Sequence, residues 1–75
     1  MNQKELGFFI DTEIRRKYKS RRRFAKETKR SYTYMNKMLS EMIVDGKNSG
    51  MLTVTSILND LGYELTIKEK DPTKK

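Results

Sequence analysis

Cysteine and histidine are both absent from this 75-residue sequence, and each absence removes a class of chemistry. Without cysteine there is no disulfide staple and no thiolate ligand, and without histidine the commonest proton shuttle and transition-metal ligand is gone. No metal site and no cofactor is expected. Acid–base work would fall to carboxylates, lysines or tyrosines. The acids are scattered along positions that a helical reading leaves exposed, and there is no glycine-rich phosphate loop, so an enzyme is not expected. Long apolar runs are missing as well. No stretch approaches the roughly 20 residues of a membrane span, and the N-terminus has no apolar signal-peptide core. The expectation is a cytoplasmic chain with no membrane partner. The length allows one domain. Such a chain buries only about 60% of its unfolded surface, so its stability is thin and oligomerisation is a common remedy.

Negative charge is nearly missing from one segment. Residues 15–30 carry ten basic side chains (Arg15, Arg16, Lys17, Lys19, Arg21, Arg22, Arg23, Lys26, Lys29 and Arg30) against the single acid Glu27. The net charge of +7 is made of +9 in this segment, −2 in residues 1–14 and zero in residues 31–75. A solubilising face is the plain explanation of such a run. A polyanion-binding patch is the stronger one, because the rest of the chain is neutral and the whole excess is concentrated here.

The hydrophobic pattern is helical for most of the chain. Leu6, Phe9, Ile10, Ile14 and Tyr18 form one stripe, which predicts a helix over residues 3–18 that Gly7 weakens. Ser20 is placed to cap a short second helix reaching about Thr28, with Phe24 and Ala25 facing inward. Ser31 is placed to cap a third, whose apolar residues Met35, Met38, Leu39, Met42 and Ile43 recur at helical spacing. The methionines read as core filling rather than as an adaptable groove. "DGKNSG" (45–50) is a loop. Ser49 is expected to cap a fourth helix with Met51, Leu52, Val54, Ile57, Leu58 and Leu61 facing inward, and Gly62 stands where a left-handed glycine would end it. In "YELTIKEK" the pattern switches to period two, which predicts one strand over about 63–69 with Tyr63, Leu65 and Ile67 on one face. Residues 70–75 read as a disordered tail.

Residues 20–43 have the spacing of a helix-turn-helix, in which one helix braces and the next enters the major groove. Close packing of the pair needs a small residue midway along the first helix, and Ala25 supplies it. Phe24, Met35 and Met38 fall where apolar side chains would lock the two together. On these residues, "FAKETKRSYTYMNKML" resembles the Cro and phage-repressor (XRE-like) family of helix-turn-helix regulators, matching at Phe24, Ala25, Ser31, Met35 and Met38. It departs at Thr28, Lys29 and Arg30, where the family usually carries an apolar–glycine–apolar corner, so either Lys29 takes up the positive φ that glycine accepts freely or the turn is built differently. The resemblance covers about residues 3–68, and "LNDLGYELTIKEK" is similar to the C-terminus of antitoxin members, whose last strand pairs across a twofold axis. A lone strand with an unpaired apolar edge is costly in a monomer, which independently favours a homodimer.

The resemblance implies a mainly α, four-to-five-helix Cro/repressor-like domain over residues 1–69 with one short C-terminal strand. It also implies a cytoplasmic, sequence-specific regulator of transcription that binds double-stranded DNA, most often a homodimeric repressor at a near-palindromic site. On the third helix, Tyr32, Thr33, Asn36 and Lys37 would reach base edges. Arg21, Arg22, Arg30 and Ser31, with Lys47 and Asn48 of the following loop, would touch phosphates. Tyr63, Leu65 and Ile67 would form the dimer strand. Two other readings stand beside this one. The chain could be chiefly an antitoxin or inhibitor with a protein such as a toxin as its main partner, or a basic arm, "RRKYKSRRR", that binds nucleic acid without preference.

Overall fold

The computed structural model describes residues 2–64, and within them the chain is helical, with no strand. Four α-helices follow one another: α1 (Gln3–Tyr18), α2 (Arg21–Glu27), α3 (Tyr32–Ser40) and α4 (Met51–Asp60). A single π-helical turn, Glu41–Asp45, extends α3. The expected strand lies outside the described residues except for Tyr63 and Glu64, which are irregular, and so do Leu65, Ile67 and the tail.

The starts of α1, α2 and α3 are capped from the local sequence. Asn2 and Glu5 form a reciprocal box at α1, with the Glu5 amide donating to Asn2 Oδ1 at 2.8 Å and the Asn2 amide to Glu5 Oε1 at 3.1 Å. Ser20 Oγ accepts from the Arg23 amide and Ser31 Oγ from the Tyr34 amide, as their positions predict. The start of α4 differs from expectation. Gly50, not Ser49, is its N-cap, and no side chain caps it.

The core is the stripe Ile10–Ile14 of α1, Phe24 and Ala25 of α2, Met35, Met38 and Leu39 of α3, Met42 of the π turn, and Val54, Ile57, Leu58 and Leu61. Met51 and Leu52, expected to face inward, are 71% and 87% exposed. The stripe that meets the core is 54, 57, 58 and 61, so the first turn of α4 runs past it. Gly7, which costs helix propensity, is needed for packing. A Cβ there would lie 2.8 Å from Met42 Cβ and 3.1 Å from Ile43 Cγ1, so α1 and the π turn approach as closely as they do because the side chain is missing.

The turn between α2 and α3 is built without glycine. The Arg30 amide donates to the Ala25 carbonyl at 2.8 Å and the Lys29 amide to Lys26 at 3.3 Å, with Lys29 at φ 58°. This is the Schellman arrangement, and α4 ends with the same pair of bonds, Tyr63 to Leu58 and Gly62 to Asn59, around Gly62 at φ 96°. Thr28 Oγ1 adds a bond to the Phe24 carbonyl at 2.7 Å. Lysine thus occupies a position where a side chain costs about 1–2 kcal/mol, part of which glycine would return in unfolded-state entropy. Lys29→Gly is expected to stabilise the fold by about 0.5 kcal/mol and raise the melting temperature by a few degrees, read by thermal circular dichroism.

The chain leaves α4 through a polar anchor on α1. Glu13 Oε1 accepts from Arg16 Nη2 and from the Tyr63 hydroxyl, both at 2.7 Å, and Tyr63 stacks edge-on against Phe9 with centroids 5.5 Å apart. The Arg16 guanidinium, joined by the Tyr63 hydroxyl, holds the Glu13 carboxyl down to about 2 from its usual 4.5, against the opposing effect of burial. A carboxyl whose folded pKa is depressed stabilises fully above its unfolded value, and that stability is lost as pH falls. Glu13→Gln should therefore be less stable than the parent at neutral pH, with the gap closing between pH 4.5 and about 2 in acid-denaturation curves.

Candidate nucleic-acid interface

The outward face of α3 is open. Thr33, Tyr34 and Lys37 are exposed, while Met35, Met38 and Leu39 on the opposite side pack into the core with Phe24 and Ala25. The helical period alone sorts these residues, since 33, 34 and 37 share one face and 35, 38 and 39 the other. Tyr34 is 59% exposed and stands between two grooves. One, of about 350 Å³, is bounded by Arg30, Ser31, Leu52 and Ser56. The other, of about 230 Å³, has Lys37, Glu41 and Asn48 along it. Lys37 and Asn48 are thereby brought to one place. Lys47 is exposed beside them and pairs with Glu41 at 3.6 Å.

The basic segment divides into two groups. Some cations are engaged within the molecule. Arg15 pairs with Asp11, Arg16 with Glu13 and Arg23 with Glu27. Arg21 pairs with Asp11 at 2.6 Å, and Arg30 with Asp60 and, at 2.9 Å, with Ser56 Oγ. Arg30 also lies 5.8 Å from the Phe24 ring centre, so the residue between α2 and α3 touches α2 as well as α4. The other group is Lys19, Arg22, Lys26 and Lys29, which, like Lys37 on α3, have no carboxylate within ion-pair distance among the described residues and are all exposed. Arg22 and Lys26 flank a shallow hollow on the outer side of α2 with Ser20 and Glu27.

The expected contact residues therefore separate. Thr33 and Lys37 project outward on α3, with the cap Ser31 exposed at its start. Tyr32 is half-buried against the core, and its ring lies 4.4 Å from the Arg22 guanidinium, so the two form one stacked unit. Asn36 is half-buried and bonded to Arg21 at 2.9 Å. Arg21 and Arg30, expected at phosphates, are engaged with neighbouring helices within the molecule. Tyr63 packs within its own molecule. Tyr34, which was not among the expected contact residues, is exposed on the outward side of α3. Its signal was positional, because it shares a helical face with Thr33 and Lys37.

Comparison with family models, with curated proteins and with solved structures found no match to the chain. Among the described residues no helix is long and apolar enough to cross a membrane, and no cluster of acidic side chains is arranged to hold a metal ion.

Proposed function

We propose that the chain is a sequence-specific DNA-binding regulator of the Cro/phage-repressor type, in which α3 enters the major groove and α2 braces it. The observation that carries this reading is the two-sided character of α3. Its outer face bears Thr33, Tyr34 and Lys37, free of the protein's own interior, while the inner face is locked to Phe24 and Ala25. The cations Lys19, Arg22, Lys26 and Lys29, which have no carboxylate partner among the described residues, support it, since they lie on or beside the bracing helix, where the phosphate ridges would run. A homodimer acting as a repressor at a near-palindromic site is the form this reading takes.

Selection of bound duplexes from a random pool is the test. The expected outcome is a motif with two half-sites about one helical turn apart, and binding that weakens with salt by a log–log slope of about 0.9 per phosphate contacted. A pool that returns no motif, with equal affinity for any duplex, removes specificity and leaves only the basic-arm reading.

One observation favours a second reading, an antitoxin or inhibitor with a protein partner. Tyr34, Met51 and Leu52 are all exposed, and Tyr34 and Leu52 share the 350 Å³ groove. Co-purification of a second polypeptide whose release raises the accessibility of Tyr34 would support it.

A further inference from the structure

Arg21 is the first residue of α2, and its guanidinium is where three helices meet. Its Nε donates to Asp11 Oδ1 of α1 at 2.6 Å. Its Nη1 donates to Asn36 Oδ1 of α3 at 2.9 Å and, at 3.4 Å, to Ser40 Oγ one turn further along. The Arg21 and Asp11 side chains are each only 13% exposed, so this is a fixed fork rather than a solvated surface pair. Burial pushes the Asp11 carboxyl up, but the hydrogen bonds from Arg21 and Arg15 outweigh it and hold its pKa below the usual range. The anchor that aims Arg21 at Asn36 is charged throughout the neutral range.

A guanidinium carries donors and no acceptor. The atom of the Asn36 amide that faces Arg21 is therefore the oxygen, and the amide cannot flip without setting its NH₂ against the Arg21 N–H. Nδ2, with both hydrogens, is the end turned away. Asn36 remains partly exposed, beside Lys37 and one turn from Thr33 on the open face. An unconstrained asparagine in a major groove offers a donor and an acceptor together and pairs with the N6–N7 edge of adenine. In Asn36 one lone pair of the oxygen is already engaged and the oxygen is aimed at Arg21, so the NH₂ is the group left for the groove.

We infer that Arg21 is a positioning residue that fixes Asn36 as a donor-only reader of one base edge. The base at that position must then offer an acceptor: guanine through N7 or O6, adenine through N7, thymine through O4. Cytosine, whose major-groove edge presents only the N4 donor, is rejected. This inference rests on the reading of α3 as the helix that enters the groove. It assigns Arg21 to specificity rather than to phosphate contact.

The test is a selection from a random duplex pool with the parent protein, Asn36→Asp and Arg21→Gln, each first checked for folding by circular dichroism. In the parent, one position per half-site should be depleted of cytosine by about tenfold, the worth of one such hydrogen bond. Asn36→Asp keeps an acceptor against Arg21 and turns a second one outward, so that position should change to favour cytosine or adenine, which offer a donor. Arg21→Gln frees the amide, and the depletion of cytosine should fade at that position alone while the rest of the motif persists. A merely structural role for Arg21 would weaken every position alike. The inference is overturned if Asn36→Asp leaves the base preferences unchanged, or if Arg21→Gln lowers affinity uniformly with the motif intact. Should Arg21→Gln fail to fold, Asn36→Asp decides alone. A parent selection without any motif would instead sink the reading of α3 itself, and a parent motif with unchanged variants would sink only this inference.

Discussion

Phe24→Ala should leave much of the protein unfolded at 37 °C. The ring is fully buried at the centre of the core, edge-on to Tyr18 with centroids 4.9 Å apart, and beneath the Arg30 guanidinium that reaches Asp60. Removing a buried phenylalanine costs about 3–5 kcal/mol through lost transfer energy and the cavity left behind. A domain of this size has roughly 4–11 kcal/mol to lose, so the substitution takes about a quarter of the stability at the least and all of it at the most. Arg30 would lose the ring it lies over, and with it some of its aim at α4. The melting temperature should fall by about 20 °C or more, read by thermal circular dichroism. A fall of only a few degrees would mean that the core collapses onto the site, and that the α2–α3 pair depends on Ala25, Met35 and Met38 instead.

The inner side of this packing was legible in the sequence because it is periodic. Ile10, Ile14, Phe24, Ala25, Met35, Met38, Leu39 and Met42 are all buried where helical spacing puts them, and Ser20 and Ser31 cap because an oxygen three residues before a free amide is a local arrangement. Gly62 was legible for the same reason, since a helix end is decided within a few residues, whereas the φ of Lys29 was one of two ways to build a turn without glycine. What could not be read is what depends on partners far along the chain. Arg21 and Arg30 look like their basic neighbours until Asp11, ten residues away, and Asp60, thirty away, are brought beside them. The exposure of Met51 and Leu52 is of the same kind. Apolarity marks them for burial, but whether a helix's first turn lies over the core depends on where its neighbours end. The close approach of the π turn to Gly7 is another case, because the sequence shows this glycine only as a poor helix former.

The division between engaged and free cations sets up the second large effect. Thr33→Ala, Tyr34→Ala and Lys37→Ala combined should lower affinity for the selected duplex by about a hundredfold to a thousandfold, because three contacts at roughly 1–1.5 kcal/mol each are lost. The three residues are exposed and absent from the core, so the melting temperature should stay within a few degrees of the parent. Affinity for random duplex should fall far less, by only the share that the Lys37 charge contributes. Neutralising Arg22 and Lys26 should do the opposite. Affinity for every duplex should drop together, and the salt slope should shrink by about 0.9 for each phosphate contact removed. The two sets of changes thus separate reading from gripping on surfaces formed by adjacent helices. Equal losses on selected and random duplexes from both sets would show that α3 contributes charge alone, and the specific reading of its outer face would fall.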